Sequence, residues 1–512
     1  MAEDHSTRFS FKNYIRPHGV GVRGIDAARS EQFEGRFGRM FRTLPPADHN
    51  SDDLTRLAMA MVATAEAEET SEDELDAEEN RGIAAGYTYW GQFIDHDITF
   101  DPNSSLQKAN DPNGLVDFRT PRFDLDCVYG RGPDDQPYLY ESDGIRLRLG
   151  RPLTGNAADS GTRDLPRDGR EDGDKRALIG DPRNDENVIV SQLQGIFLRF
   201  HNRIADLYPD ANFAEVQRLV RWHYQWAVLH DFLPTIVGDE MVFKVLPSLK
   251  RDTSIYEDKP DFRFFHWRYS PFMPVEFSVA AYRFGHSMIR PEYRLSRGLA
   301  PRFPIFSMTD KDLRGFGEFP DNWAIEWDLF FHIHAGSGNT GKNRVQPAYK
   351  IDTSLVEPLG KLPFITDKVP SLAERNLKRG VSMGLPSGQT VARHMCEDVI
   401  DEDDLRVGKL TEDDNDDNPT LVSISENFRD NAPLWYYILA ETRLQFKDDD
   451  TAIRLGPVGG RIVAEVIGGL ILGDNHSYLA QQPCWRPCFE RKGEFGMAEL
   501  ILVATGKLGA TK

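Results

Sequence analysis

The sequence predicts a mainly α-helical body with long loops and little β structure. Three observations carry that expectation. Apolar residues recur at spacings of three and four along several long segments, few runs alternate at period two, and stretches dominated by Pro, Gly and Asp separate the helical signals. Length alone would allow three domains in 512 residues. No internal repeat and no Gly/Ser-rich linker divides the chain, so it reads as an irregular arm over residues 1–80 flanking one large body over residues 81–512.

Residues 1–80 are rich in Gly, Pro and charge, with one short helical piece near Leu54 to Ala65. The acidic run from Glu66 to Glu79 reads as a solvated loop or frayed helix. Ile83, Tyr87, Trp90 and Ile94 then recur at helical spacing and define a face built for burial. From Phe100 to Gly180 hardly any periodicity survives, and loops of that length usually carry function. Leu193, Ile196, Phe197, Phe200, Ile204 and Leu207 predict one long core helix, and Leu219, Trp222, Trp226, Leu229 and Phe232 a second. Phe277, Ala281, Phe284 and Met288 suggest another helix, with Val279, Tyr282, His286 and Ile289 as its adjacent stripe. Glu326 to Ile333 fits a helix or a buried strand, while Ser371 to Gly380, Pro433 to Thr442 and Val458 to Leu472 complete the helical inventory.

A formal net charge of -20 argues against a nucleic-acid partner, because phosphate binding needs a basic surface, and it disfavours adhesion to anionic lipid. The most apolar late stretch, Val458 to Gly473, is interrupted by Arg461 and Glu465, so no membrane span is expected. The start, MAEDHSTRFSF, has no apolar core and shows no signal peptide. Four cysteines form no zinc pattern, although a local disulfide between Cys484 and Cys488 stays open. A reducing, cytoplasmic setting is the expectation, with non-classical secretion as the alternative.

Within Trp90 to Asp97, Gln92, Asp95 and His96 stand at positions i, i+3 and i+4 and would project together, while Asp97 points elsewhere. Three polar groups on one inward face are costly unless something there uses them. Taken alone, a buried His beside an Asp is more often a satisfied core pair. The string GQFIDHDITFDP, however, closely resembles the distal-haem motif of the animal-type haem peroxidases, the peroxidase-cyclooxygenase superfamily. Four further strings resemble that family in the family's own order, and the chain is similar to a bacterial-looking member.

In AYRFGHSMIR the resemblance assigns His286 as axial iron ligand and Arg283 to a haem propionate. In GDPRNDENVIVSQLQGIFLRFHNR it assigns Arg183 to catalysis and Glu186 to an ester bond with the haem. In LAERNLKRG it assigns Asn376 to a hydrogen bond with the proximal imidazole and Arg379 to a propionate. The match weakens at Val381-Ser382-Met383, where animal enzymes continue Arg-Asp-His. The loop Thr120-Pro121-Arg122-Phe123-Asp124-Leu125-Asp126 resembles the family's calcium loop, with ligands from Thr120, Asp124, Asp126, the Arg122 carbonyl and Asp97.

The resemblance implies haem b, ester-linked through Asp95 and Glu186, together with Ca2+. It implies an oxidoreductase that reduces hydrogen peroxide, oxidises phenols, halides or thiocyanate, and serves the response to oxidative stress. His96 would shuttle the proton, Arg183 would stabilise developing charge, and Gln92 would hold an anion or water. Asn187 stands where a methionine makes a sulfonium bond in myeloperoxidase, so no such bond is expected. Two other readings compete. A fatty-acid oxygenase of the same superfamily needs a tyrosine where this chain has Arg283, with Tyr282 only adjacent. A non-catalytic module held together by haem and calcium would not need Gln92, His96, Arg183 and His286 together.

Overall fold

Buried helices build the centre of the molecule, and two of the longest start at side-chain caps. The computed structural model describes residues 35–63, 76–99, 116–117, 119–169, 175–268, 270–299, 302–307, 311–334, 341–363, 365 and 369–510. Helices used below are α1 (Ser51–Met61), α2 (Gly86–Ile98), α3 (Val188–Leu207), α4 (Phe213–Ala227), α5 (Leu372–Ser382), α6 (Leu434–Ala440), α7 (Pro457–Gly473) and α8 (Met497–Ala504). The body is mainly helical, as its apolar periodicity requires.

Asn187 starts α3 by accepting from the amides of Ile189 and Val190. A reciprocal pair, Asn212 with Glu215, starts α4. Gly86 opens α2 in close contact with its neighbour: a Cβ there would lie 2.5 Å from the Phe330 carbonyl oxygen. The Phe93 ring of α2 stacks on Phe197 of α3 at 4.3 Å, and Tyr224 of α4 meets both edge-on. α8 covers another side of α3.

Strands are short and peripheral. β1 (Gly35–Gly38) pairs antiparallel with β2 (Val116–Asp117) and parallel with β3 (Met273–Pro274), in the registers Gly35 to Asp117 and Phe37 to Met273. Glu79–Ala84 pairs antiparallel with Pro347–Tyr349, and Glu292–Tyr293 with Phe303–Pro304.

Several expectations are corrected here. Ile83 belongs to the strand before α2, so the helix begins three residues later than the apolar spacing suggests. Most of the acidic run lies outside the described residues, but Glu79 is fully buried rather than solvated. Its carboxylate is held at 2.8 Å by Arg290 and at 2.5 Å by Arg344. The stretch from Phe277 to Met288 is not one helix but Val275–Ser278 followed by a 3-10 segment, Ala281–His286. Arg283 Nε bonds the Ser278 carbonyl at 3.1 Å, supplying a donor where the interrupted helix leaves one missing.

The second core helix ends at Ala227, and Val228–Phe232 forms a wide π turn before Leu233–Val237. Pro234 would clash with the His230 carbonyl in a regular α-helix, and the wider turn relieves that. Glu326 to Ile333 holds only the 3-10 turn Trp327–Leu329. Cys484 and Cys488 are both free thiols, as are Cys127 and Cys396. No helix among the described residues is long and apolar enough to cross a membrane.

Candidate active site

One wall of the site is the polar face of α2. His96 is buried, and its Nδ1 lies 2.7 Å from Asn184 Oδ1, while Asn184 Nδ2 donates to Gln194 Oε1 at 2.9 Å. An amide whose nitrogen is already donating must accept through its oxygen, so His96 carries its proton on Nδ1 and presents the Nε2 lone pair outward. That Nε2 faces Glu186 Oε1 at 3.9 Å. Gln92 joins them: it accepts from Asn187 Nδ2 at 3.1 Å through Oε1 and donates to Glu186 through Nε2. Asp95 Oδ1 accepts from Thr99 Oγ1 at 3.0 Å.

Arg183 ties this wall to the loop before α3. Its Nη2 donates to the carbonyls of His96 at 3.1 Å and Thr99 at 2.5 Å, and pairs with Asp181 at 2.8 Å. Asp181 also pairs with Arg119 at 2.6 Å. The loop can come this close because residue 180 is glycine: a Cβ there would sit 2.4 Å from the Asp126 carbonyl oxygen.

The facing wall comes from the 3-10 segment Ala281–His286 and from α5. Asn376 Nδ2 lies 2.8 Å from His286 Nδ1, and Arg283 donates to Asn376 Oδ1 at 2.5 Å. His286 Nε2 makes no hydrogen bond among the described residues. Arg283 has no ion pair among them either, although Arg375 and Arg379 stand close enough to act on its charge.

Both walls keep accessible surface. Glu186 lies deep in the molecule, yet 36% of its side chain is accessible; Gln92, Asp95, Arg183, Arg283 and His286 are likewise only partly covered. We take this uncovered surface on the two walls to border one hollow. Burial dominates the electrostatics there, penalising charge. It pushes the Glu186 carboxyl up to about 7 and raises that of Asp95, and it pulls Arg283 down to about 10. Burial, helped by the Arg183 charge, lowers His96 to about 3, and burial with Arg283 does the same to His286. Both imidazoles are therefore neutral near pH 7. Asp95 feels the charges of Arg183 and Arg283 alike, so it stands between the walls.

Asp97, one step past His96, points away from the hollow toward Asp124 and Asp126, whose carboxylate oxygens come within 4.8 Å of one another and of its own. Thr120 Oγ1 donates to Asp124 Oδ2 at 2.8 Å, which brings a fourth oxygen to the group. Leu125 between the two loop carboxylates is left-handed, with φ of 57°, a strained conformation for a leucine. Asp97 Oδ2 is buried with no hydrogen-bond partner among the described residues. Burial and its acidic neighbours raise the Asp97 carboxyl well above the usual range, and burial pushes Asp126 up to about 8. Arg119 pairs with Asp126 at 3.2 Å and offsets one of the three charges, and the two that remain with Asp97 buried favour a bound cation.

Asn184, Asp181 and Thr99 are missing from the sequence reading. Asp181 and Asn184 lie inside the quoted GDPRNDEN string, but only their contacts reveal a role. Arg379, assigned from sequence alone, is buried in α5 near Arg283.

Comparison with known proteins narrows the chemistry. Residues 104–311 match the family model for animal haem peroxidase. That span holds Thr120 to Asp126, Arg183, Glu186, Arg283 and His286, whereas Gln92 to Asp97, Asn376 and Arg379 lie outside it. A peroxidase-like protein of Margaritifera margaritifera is 27% identical over 388 residues, covering 60% of this chain and 45% of its own length. The chain spans less than half the length of this and other curated relatives it matches, among them a chorion peroxidase of Drosophila melanogaster. Peroxidase A of Dictyostelium discoideum superposes with a TM-score of 0.60 at 17% identity, covering 94% of this chain and 95% of that one. A fatty acid alpha-dioxygenase of Oryza sativa does so with a TM-score of 0.56 at 15% identity, covering 91% and 82%. Both superpositions establish the fold.

The residues present fit a haem. A neutral imidazole whose Nε2 makes no hydrogen bond among the described residues can ligate iron once its proton sits on Nδ1, a buried guanidinium without a carboxylate among those residues suits an acidic substituent, and a second neutral imidazole stands on the other wall.

Proposed function

We propose that this chain is a haem peroxidase that reduces hydrogen peroxide and oxidises small donors such as phenols, halides or thiocyanate. The observation that carries the reading is the pair of neutral imidazoles on opposite walls of one deep hollow, His96 with its Nε2 lone pair exposed and His286 with its Nε2 free. Haem, when bound to His286, supplies the electrons that cleave the peroxide O–O bond.

The protein's own part is acid-base and positional. His96 Nε2 would take the proton from one peroxide oxygen and return it to the other, which would leave as water. The Asn184 bond keeps Nδ1 protonated throughout, so that only Nε2 works as base. Arg183 keeps His96 uncharged and adds positive charge at the peroxide position. The Asn187–Gln92–Glu186 chain fixes the Gln92 amide, whose Nε2 also suits a halide or a water.

Ligation through His286 Nε2 requires the proton on Nδ1. Asn376 now presents its Nδ2 there because Arg283 occupies Oδ1. When Arg283 turns to a haem carboxylate, the amide is free to reverse and accept from Nδ1, which raises the basicity of the ligand. Asp95 and Glu186 border the same hollow, and their carboxyls are the groups available for ester links to the haem edge. Asp97, Thr120, Asp124, Asp126 and the Arg122 carbonyl are the proposed Ca2+ ligands, in an oxygen-only set that suits a hard cation.

A visible spectrum of the haem-loaded protein with and without peroxide, followed by a guaiacol or bromide assay, tests the reading. A Soret band that peroxide displaces, with turnover of either donor, is expected. Haem uptake without any peroxide reaction would leave a non-catalytic module. Oxygen uptake with linoleate exceeding donor oxidation would replace the peroxidase with a fatty-acid oxygenase.

A further inference from the structure

A second cavity, of about 390 Å³, lies where α4 and its π turn meet residues 478–486, and none of its walls belongs to the site above. Trp226, His230, Tyr478 and Trp485 supply most of its aromatic surface. The Trp226 ring lies 5.6 Å from Tyr478 and 6.1 Å from Trp485, and His230 stacks flat on it at 3.8 Å. The volume is at the small end of ligand pockets, which run from roughly 300 to 1,000 Å³, and suits one substituted ring.

Polar groups around this surface favour an anion. Arg486 places its guanidinium 5.1 Å from the Trp226 ring centroid and pairs at the mouth with the exposed Asp252. Its side chain is 47% exposed and Asp252 is more so, so the pair is screened and easily exchanged for another carboxylate. Burial and Arg486 keep His230 neutral, which leaves Arg486 as the cation of the lining. Ser248 and Trp485 also line the cavity. Arg486 only donates, so the polar end of a complementary molecule must accept.

The wall is also joined to the active site. His230 sits inside the π turn Val228–Phe232, a form of helix found frequently at functional sites. The next residue, Asp231, accepts from the Tyr87 hydroxyl of α2 and from the Met497 amide. Phe232 meets Trp90 of α2 edge-on at 5.4 Å. An adjustment of the turn would therefore bear on the N-terminal turn of α2, at Tyr87 and Trp90.

We propose that this cavity binds a small planar aromatic carboxylate, its ring against the tryptophans and its carboxylate on Arg486, and that the π turn transmits occupancy to α2. The spectroscopic half of the test rests on the haem peroxidase reading; the binding half does not.

The experiment titrates the haem-loaded full chain with 4-hydroxybenzoate by calorimetry, for wild type, Arg486→Gln and Leu249→Trp, while following the Soret band. Saturable binding at one site is expected in wild type, weakened about tenfold in Arg486→Gln by loss of a charge-assisted pair and abolished in Leu249→Trp, which fills the cavity. The Soret band should shift in proportion to occupancy in wild type and stay fixed in Leu249→Trp. No saturable binding, or equal affinity in wild type and Arg486→Gln, overturns the site, and that comparison holds even if Leu249→Trp does not fold. Saturation without a Soret shift overturns the coupling. A chain that takes up no haem defeats the peroxidase reading instead, and calorimetry still decides the cavity.

Discussion

Two helices, α2 and α7, carry charged residues into the interior, and their difference separates structure from site. In α7, Arg461 and Glu465 stand four residues apart and pair at 2.8 Å. Both Glu465 oxygens are taken, because the amides of Arg263, Phe264 and Phe265 donate to them at 2.8 to 3.0 Å. The N-terminus of the same helix is closed by Glu441, which accepts from Val458 and Gly459. In α2 the polar groups stay open. His96 shows a lone pair to a hollow, and Asp97 Oδ2 is buried without a partner among the described residues. The Glu465 carboxylate, with both oxygens taken by its own chain, holds the fold together, whereas the Asp97 carboxylate and the His96 lone pair keep capacity for a further partner.

That contrast can be broken from either side, and the largest effect belongs to α2. His96→Ala should slow the reaction with peroxide by about 10²–10⁴-fold, the range of general acid-base assistance, with little change in stability. Stopped-flow traces of haem-loaded protein measure it, and a loss below threefold would mean that His96 is not the proton carrier. Glu465→Ala should do the reverse. It leaves Arg461 with only the partly exposed Asp261 carboxylate and the amides of Arg263, Phe264 and Phe265 without their acceptor, at a cost of about 3–5 kcal/mol in denaturant unfolding, while the peroxide rate per folded molecule stays the same.

A smaller effect is expected at the acidic cluster. Chelation, or Asp124→Ala, should remove the stabilisation a bound ion gives, about 2.7 kcal/mol at a hundredfold excess over its Kd, and slow the peroxide reaction because Asp97 adjoins His96. Metal analysis of active protein that finds no calcium would refute the assignment. The smallest effect is a pH slope. Burial raises Glu186 above its unfolded value, so its contribution to stability is full below about pH 4.5 and is lost as pH rises through about 7. Glu186→Gln should flatten melting temperature against pH across that window in the haem-free protein; an unchanged slope would place the titration elsewhere.

Legibility in the sequence followed the range of the interaction. Helical periodicity put Gln92, Asp95 and His96 on one face and sent Asp97 to another, because a turn of 3.6 residues is a local property. The break after Ser278 escaped the same periodicity, since it depends on a guanidinium filling a carbonyl that the helix would have used. Glu79 looked like one more residue of a solvated acidic run until two arginines from residues 290 and 344 closed over it. The wide turn at Val228–Phe232 was hidden inside a good apolar pattern, although Pro234 was its visible cause.

Composition and spacing were enough for the mainly helical class and the first long core helix, and local strings were enough for the resemblance to a haem peroxidase, because each depends on residues close together in the chain. Asn184 beneath His96, Asp181 between Arg119 and Arg183, and Arg283 on Asn376 became evident only once distant segments met. The same holds for neutral imidazoles, raised carboxyls and the aromatic cavity beside the π turn. Proton affinity and open valence depend on which groups surround an atom in space and how little water reaches it, and neither quantity exists in a linear string of residues.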